Sequence, residues 1–474
     1  MLRTLIEKEI RDLVGSTKFV IIFGVCAFFI IAAFYTGAAR HKLNVSQYNA
    51  SQAEILRSLE GKTEWDEFEN MRVFLSPRPL ETLVSGVSND VDRTAYISGR
   101  GYVPTRDSHY SEDPLFASFR FIDLDFVFSV ILSLFAILFG YDAISGEKEQ
   151  GTLRLTFANP VPRRTFILGK IIGPLISLTT AILIAVLLGI LILMIMGIGL
   201  SGAEWIRLGL IIFTGLLFFG AFLTLSIFVS ALTQRSANSF VILLVIWVLC
   251  IHIIPRTAVL LAGRAVDVPS VDEIAYQQSI LATQLAEEFF DASANLSLPA
   301  TASEDFDPAA HLNNFFDSLS NIRESKMNDF TARLMEDRHN RQKIQQALSF
   351  TLARISPLTS FTLATSQLAG TSLDLKDRFY LQATEFQKIY GDFIKEKTGF
   401  NPGAGIKIKA SISGENDAEK PEPIEPGELP GFEYKDKNLA AVFASAIIDM
   451  GVLSLFNILF FAGSFIAFMR YDLR

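Results

Sequence analysis

Residues 141–170, YDAISGEKEQGTLRLTFANPVPRRTFILGK, form a charged island between two apolar runs, Phe126–Gly140 and Ile171–Met196. Each run approaches or exceeds the roughly 20 apolar residues that cross a bilayer. Water-exposed runs of that length would not stay soluble, so the island reads as a short loop capping two membrane spans on one side. Lys148, Arg154, Arg163, Arg164 and Lys170 sit in it. Short loops rich in Lys and Arg stay on the cytoplasmic face. Half of the chain is hydrophobic and only 19% is charged, below the roughly 25% of soluble domains. The chain is therefore a polytopic membrane protein with polar inserts.

The island carries more specified geometry than a tether needs. Ser145 can cap a helix, since a hydroxyl accepts from free backbone N–H groups. Glu147 and Glu149 then fall in the first turn, where the helix dipole favours negative charge. Gly151 breaks the pattern or permits close backbone approach. Thr152–Phe157 alternates apolar and polar side chains, and Pro160 and Pro162 stop any helix before Arg163 and Arg164. Two readings follow: a solvated turn that only sets topology, or a docking surface for a cytoplasmic protein.

The stretch GEKEQGTLRLTFANPVPRRTFILGK resembles the cytoplasmic signature loop of ABC type-2 exporter permeases, through Gly146, Glu147, Gly151, Thr152, Leu153, Pro160, Val161 and Lys170. The branch it most resembles includes the permease of the nitrous-oxide-reductase maturation system and longer relatives with enlarged extracytoplasmic inserts. DPLFASFRFIDLDFV at 113–127, ISPLTSFTLATSQLAGT at 355–371, LPGFEY at 429–434 and the ending FMRYDLR carry the likeness further. The resemblance implies two paired permease chains, each binding a separate ATPase subunit that holds ATP and Mg. Gly146, Glu147, Gly151, Thr152 and Leu153 would dock that ATPase, and Arg163 and Arg164 would anchor the loop at the lipid headgroups. Large inserts leave room for an extracytoplasmic partner. The implied location is a bacterial cytoplasmic (inner) membrane with both termini inside.

The rest of the chain fits this frame. Residues 1–18 carry Leu2, Leu5, Ile6, Ile10, Leu13 and Val14 at helical spacing among charges, the pattern of an amphipathic helix on the membrane surface. The first span is expected at 19–36 and a polar insert at 37–124, with strands near Arg72–Leu75 and Tyr96–Val103. Spans two to five fall in 125–255 around a coupling loop at 144–165. Pro174 is expected near the start of the third span, where a proline costs little, and Pro255 is expected to end the fifth. A second insert, 256–438, is mainly helical by its stripes, among them Ile274, Ile280, Leu281, Leu285 and Phe289, and reads as a bundle with its own core. Within it, Ser356–Gly370 is apolar but too short to cross, and reads as a re-entrant or surface helix. Residues 439–474 hold the last span, with Asp449 at its outer boundary. The expected fold class is all-α and polytopic: six transmembrane helices and two extracytoplasmic inserts.

Several function classes are disfavoured. No G-x-x-x-x-G-K-[ST] occurs, so ATP hydrolysis would belong to another chain. The five histidines are scattered, with no H-E-x-x-H or G-x-S-x-G, so neither cofactor nor metal is expected here and an intramembrane enzyme has no motif to stand on. Net charge is −8 without a basic patch, which argues against nucleic acid. Cys26 and Cys250 lie in apolar spans, so disulfides do not staple the inserts.

Overall fold

The structure is a computed structural model that describes residues 1–60, 62, 70–98, 103–108, 123–158, 161–295, 308–398 and 428–471. Within these residues six helices are long and apolar enough to cross a membrane. They are α2 (Thr17–Leu59), α3 (residues 124–140), α6 (Arg163–Ile195), α7 (Gly202–Leu232), α8 (residues 236–265) and α13 (Leu439–Met469). Helix α1 (Leu2–Val14) precedes them. The short α4 (Ser145–Glu149) and α5 (Thr152–Ala158) fill the island. Helices α9 (Val271–Ala294), α10 (Pro308–Ala353), α11 (Pro357–Ala369) and α12 (Asp374–Thr398) belong to the second insert.

Helix α7 is the centre of the bundle. It presents Phe218, Phe219, Phe222 and Leu223 fully buried, while α2, α8 and α13 keep apolar residues such as Phe28, Val245 and Ile458 outward. An apolar outer face is what lipid or a second membrane chain covers. Helix α11 is not a surface helix. Phe361 stacks on Phe218 at 4.7 Å and lies 5.9 Å from Phe128, and Ala364, Leu368 and Ala369 are buried. At about 1.5 Å per residue its length is roughly 20 Å, less than the roughly 30 Å hydrocarbon core. It plugs the insert side of the bundle without crossing.

Helix ends depart from the apolar boundaries in three places. Helix α2 does not stop near residue 36 but runs to Leu59, because leaving lipid removes the demand for apolar side chains without breaking the backbone ladder. Pro255 does not end α8. A π-helical stretch at Leu249–Ile253 precedes it and the helix continues to Ala265. The widened turn frees backbone carbonyls, and Cys250 O accepts from Ser356 Oγ at 2.7 Å. Pro174 is interior to α6, which begins at Arg163. The missing N–H therefore leaves the Lys170 carbonyl without its helical donor.

The inserts are not two separate bodies. Strands β1 (Asn70–Phe74), β2 (Thr94–Ser98) and β3 (Thr105–Arg106) form an antiparallel sheet in that order. β1 and β2 lie close to the expected positions, although residues 99–102 of the second expected strand lie outside the described residues. Val73, Ala95 and Ile97 from this sheet share one core with Leu375, Phe379, Ala383, Phe386 and Tyr390 of α12. The expectation of a self-contained helical bundle in the second insert is thus corrected. Its best-packed helix covers the sheet of the first insert, because an amphipathic helix buries its stripe against whatever apolar face is nearest. Helices α9 and α10 pack only loosely on each other: Ile274 and Leu285 are buried, yet Ile280 is exposed. The shared core also puts both inserts on one side of the membrane.

Charges pin this domain to the bundle. Asp436 accepts from Arg207 of α7 at 2.7 Å and from Arg378 of α12 at 3.0 Å. Burial pushes the Asp436 carboxyl upward, but the bonds from Arg207 and Arg378 and the Arg78 charge outweigh it and hold the group below the usual carboxylate range. On α13, Asp449 is fully buried and accepts from Arg354 at the end of α10, at 2.6 and 3.1 Å.

Candidate functional site

The island folds as two short helices wedged beneath the bundle. Ser145 does not cap α4. Its Oγ donates to Tyr141 O at 2.8 Å, and the free N–H groups of Ile144 and Ser145 both donate to Ser230 Oγ of α7 at 3.0 Å. The cap comes from another helix. Lys148 Nζ donates to Ala231 O and to Thr233 O, at the end of α7. Glu149 Oε2 accepts from Ser236 N at the start of α8, at 3.0 Å. Five residues of α4 thus satisfy the end of one span and the start of the next, whose backbone groups have no helical partners of their own.

A second set of charges ties α1, α4 and α6 together. Lys170 Nζ lies 2.6 Å from Glu147 Oε1 and 2.9 Å from Glu9 Oε1, and its side chain is mostly buried. Helix α1 reaches this point because α6 offers glycines on one face. A Cβ at Gly173 would stand 2.7 Å from Glu9 Cβ, and one at Gly169 would stand 3.2 Å from Leu5 Cβ. Nearby, Lys18 pairs with Asp142 at 3.2 Å. Arg163 Nη1 donates to Met469 O and Tyr471 O, both at 3.0 Å, which closes the C-terminal end of α13.

The residues singled out by resemblance therefore divide. Leu153 is buried, and Gly146 and Glu147 are half-buried, with the Glu147 carboxylate turned to Lys170. Thr152 Oγ1 donates to Glu147 O at 3.3 Å. Gly151 is exposed, with φ of 72° and nothing within 4 Å of where a Cβ would stand. Its role within the chain is the left-handed turn between α4 and α5, a conformation that costs other residues energy. Arg163 bonds the chain's own last helix, while Arg164 is exposed. Pro160 lies outside the described residues.

Helix α5 is amphipathic with helical period. Leu153 is buried, and Phe157 packs on Phe166 at 5.3 Å and Phe468 at 5.9 Å. Gln150, Arg154 and Leu155 are exposed, Leu155 by 70%. Reading 152–157 as a two-residue alternation missed these positions. The Leu153–Phe157 spacing of four was the signal, since it sets an inner face and leaves Arg154 and Leu155 opposite. The site is a charged, amphipathic ledge, braced from within by ion pairs and presenting an arginine and a leucine outward.

A family model described as ABC-2 family transporter protein matches residues 3–473. No curated protein matches the chain. Six membrane-competent helices, the ledge between the second and third of them and a match over nearly the whole length agree: this chain belongs to the ABC-2 transporter family and is a multi-pass permease component of an ABC transporter.

Proposed function

We propose that the chain couples a separate ATPase subunit, which binds ATP and Mg, to export across a bacterial cytoplasmic membrane, working as a pair of permease chains with both termini inside. The observation that carries this reading is the ledge. Its exposed residues, Gly151, Arg154 and Leu155, adjoin α4, whose ion pairs and caps reach α1, α6, α7 and α8, so a force applied there reaches four helices at once. Leu155→Asp tests it. Leu155 is exposed, so the change alters the permease's own stability by no more than about 0.5 kcal/mol. Association with the ATPase, measured on the purified complex, is expected to weaken more than tenfold while the melting temperature of the permease stays put. Equal ATPase affinity would remove the ledge from the interface.

The orientation has its own test. Asp90→Cys and Ser318→Cys, both at exposed insert positions, should react with an impermeant thiol reagent from outside the cell membrane. Ala158→Cys, exposed on the ledge, should react only after permeabilisation. Label on Ala158→Cys in intact cells would invert the topology.

A second reading, a permease-like transmitter that moves an extracytoplasmic partner without passing a substrate, is supported by one contact. The Arg354–Asp449 pair joins α13 to α10, a 46-residue helix roughly 70 Å long. Movement of the last span is thereby delivered far into the insert side. ATPase stimulation with no cargo recovered from proteoliposomes would favour this reading.

A further inference from the structure

A cavity of about 520 Å³ lies where the two inserts meet the first turns of α3 and the start of α13. Its volume falls within the roughly 300–1,000 Å³ of small-molecule sites. Ser445 and Phe350 on its wall stand one helical turn from Asp449 and Arg354, so the cavity adjoins the ion pair that joins α13 to α10. Every ionised side chain on the wall is engaged. Asp123 accepts from Phe126 N at 2.9 Å, from Ser85 N at 3.2 Å and from Ser85 Oγ at 2.5 Å. Asp125 accepts from Thr365 Oγ1 at 3.3 Å and is not free. Asp374 holds Lys437 and accepts from Ser372. What is left on the wall is uncharged. Ser129, Ser366 and Ser445 each donate their hydroxyl proton to a carbonyl of their own helix. Their protons are spent, and their oxygens remain able to accept. Gln367 lines the cavity too. Its Oε1 is buried with no hydrogen-bond partner, a costly state until a donor arrives.

With every wall charge already engaged, a ligand carrying a net charge would be buried here without a counter-ion, at high cost. A neutral ligand avoids that cost. The open acceptors require it to donate a proton, which a hydroxyl does and an ether or ester oxygen cannot. The rest of the lining is apolar: Phe126 and Leu373 are exposed beside the cavity, with Leu363 and Phe350 on the same wall. At the membrane end of the inserts, such a wall suits a molecule that is polar at one end only. We propose that this cavity binds the hydroxyl head of an uncharged amphiphile, its proton donated to Gln367 Oε1 and its apolar portion along Phe126 and Leu363. The inference stands apart from ATPase docking, because binding is measured without ATPase or nucleotide.

The test uses the full chain in phosphatidylcholine nanodiscs doped with equal small amounts of dioleoylglycerol, its methyl ether and dioleoylphosphatidic acid, followed by mass spectrometry of the lipid retained on the protein. The three share their acyl chains. The first carries a free hydroxyl, the second has that hydroxyl capped, and the third is charged. Wild type is expected to retain dioleoylglycerol about tenfold over either of the others, the scale of one hydrogen bond to a buried acceptor. Gln367→Met keeps the side-chain length and removes the unpartnered oxygen, so the ratio of dioleoylglycerol to its methyl ether should fall toward one. Ser445→Phe fills the cavity from α13 and should reduce retention of dioleoylglycerol itself. Size-exclusion profiles and melting temperatures establish that each variant is folded, and either folded variant decides alone if the other does not fold. Equal retention of the three lipids by wild type overturns the proposal. So does preference for the methyl ether or for phosphatidic acid, and so does enrichment of dioleoylglycerol that the folded variants leave unchanged.

Discussion

Lys170→Met is expected to destabilise the permease by about 3–5 kcal/mol, the cost of leaving buried charge without its partner. Lys170 is the one cation in contact with both Glu9 and Glu147 among the described residues, so its removal leaves two carboxylates facing each other across the α1–α6 packing. One Glu147 oxygen is already buried without a hydrogen bond. The control is the triple change Glu9→Gln, Glu147→Gln and Lys170→Met. Replacing a whole buried ion cluster with neutral groups is often close to neutral in stability, so the triple variant should recover most of the loss. Unfolding in detergent, followed by the melting temperature and by accessibility of α1 to proteolysis, reads both. A single variant as stable as wild type would mean that the cluster is solvated and contributes little. The same measurement bears on Glu147. Its carboxylate faces into the chain, so Glu147→Gln is expected to act first on the seating of α1 and α4 and only through them on the ATPase.

The second large effect concerns the insert side. Arg354→Met leaves Asp449, which is fully buried, as an unpaired charge inside the packing of α11 and α13. The expected cost is again about 3–5 kcal/mol. Asp449→Asn should cost less, about 1–3 kcal/mol, because an amide can still meet the guanidinium while the charge-assisted bonds are lost. Two measurements separate a local from a global role. The melting temperature gives the total, and hydrogen exchange across Pro308–Ala353 shows whether the end of α10 has come away from the bundle. Enhanced exchange confined to the last turns of α10, with the spans still protected, is the expected pattern for Arg354→Met. Unchanged exchange there would detach this pair from any coupling between the last span and the inserts.

Both effects rest on partners that lie far apart in sequence, and this marks the limit of what the sequence showed. The spans were legible because the requirement they meet is local. A helix in lipid needs about 20 apolar residues in a row, and nothing elsewhere in the chain can supply them. The amphipathic α1, the short β1 and β2 and the break at Gly151 were legible for the same reason, since each is a pattern within a few residues. The ledge was legible as a place, through its charges and its likeness to a known loop, but not in its detail. Ser145 looked like a cap because serine caps helices locally, and Ser230 took that role because α7 brings a hydroxyl to the same two N–H groups.

By itself, then, the sequence determined the number of spans, the short loops that carry the charge and the helical character of most of the second insert. It could not determine where helices end, since backbone hydrogen bonds continue past the lipid boundary, as in α2, and past a proline when a π turn absorbs it, as in α8. Nor could it tell Leu153, buried, from Leu155, exposed, until Phe166 and Phe468 chose which face of α5 to cover. The joining of the two inserts into one core, the seating of α11 against Phe218 and the meeting of Glu9, Glu147 and Lys170 were decided by tertiary structure alone. Side-chain packing and charge pairing act over a few ångströms in space, and only the folded chain brings those residues within that distance.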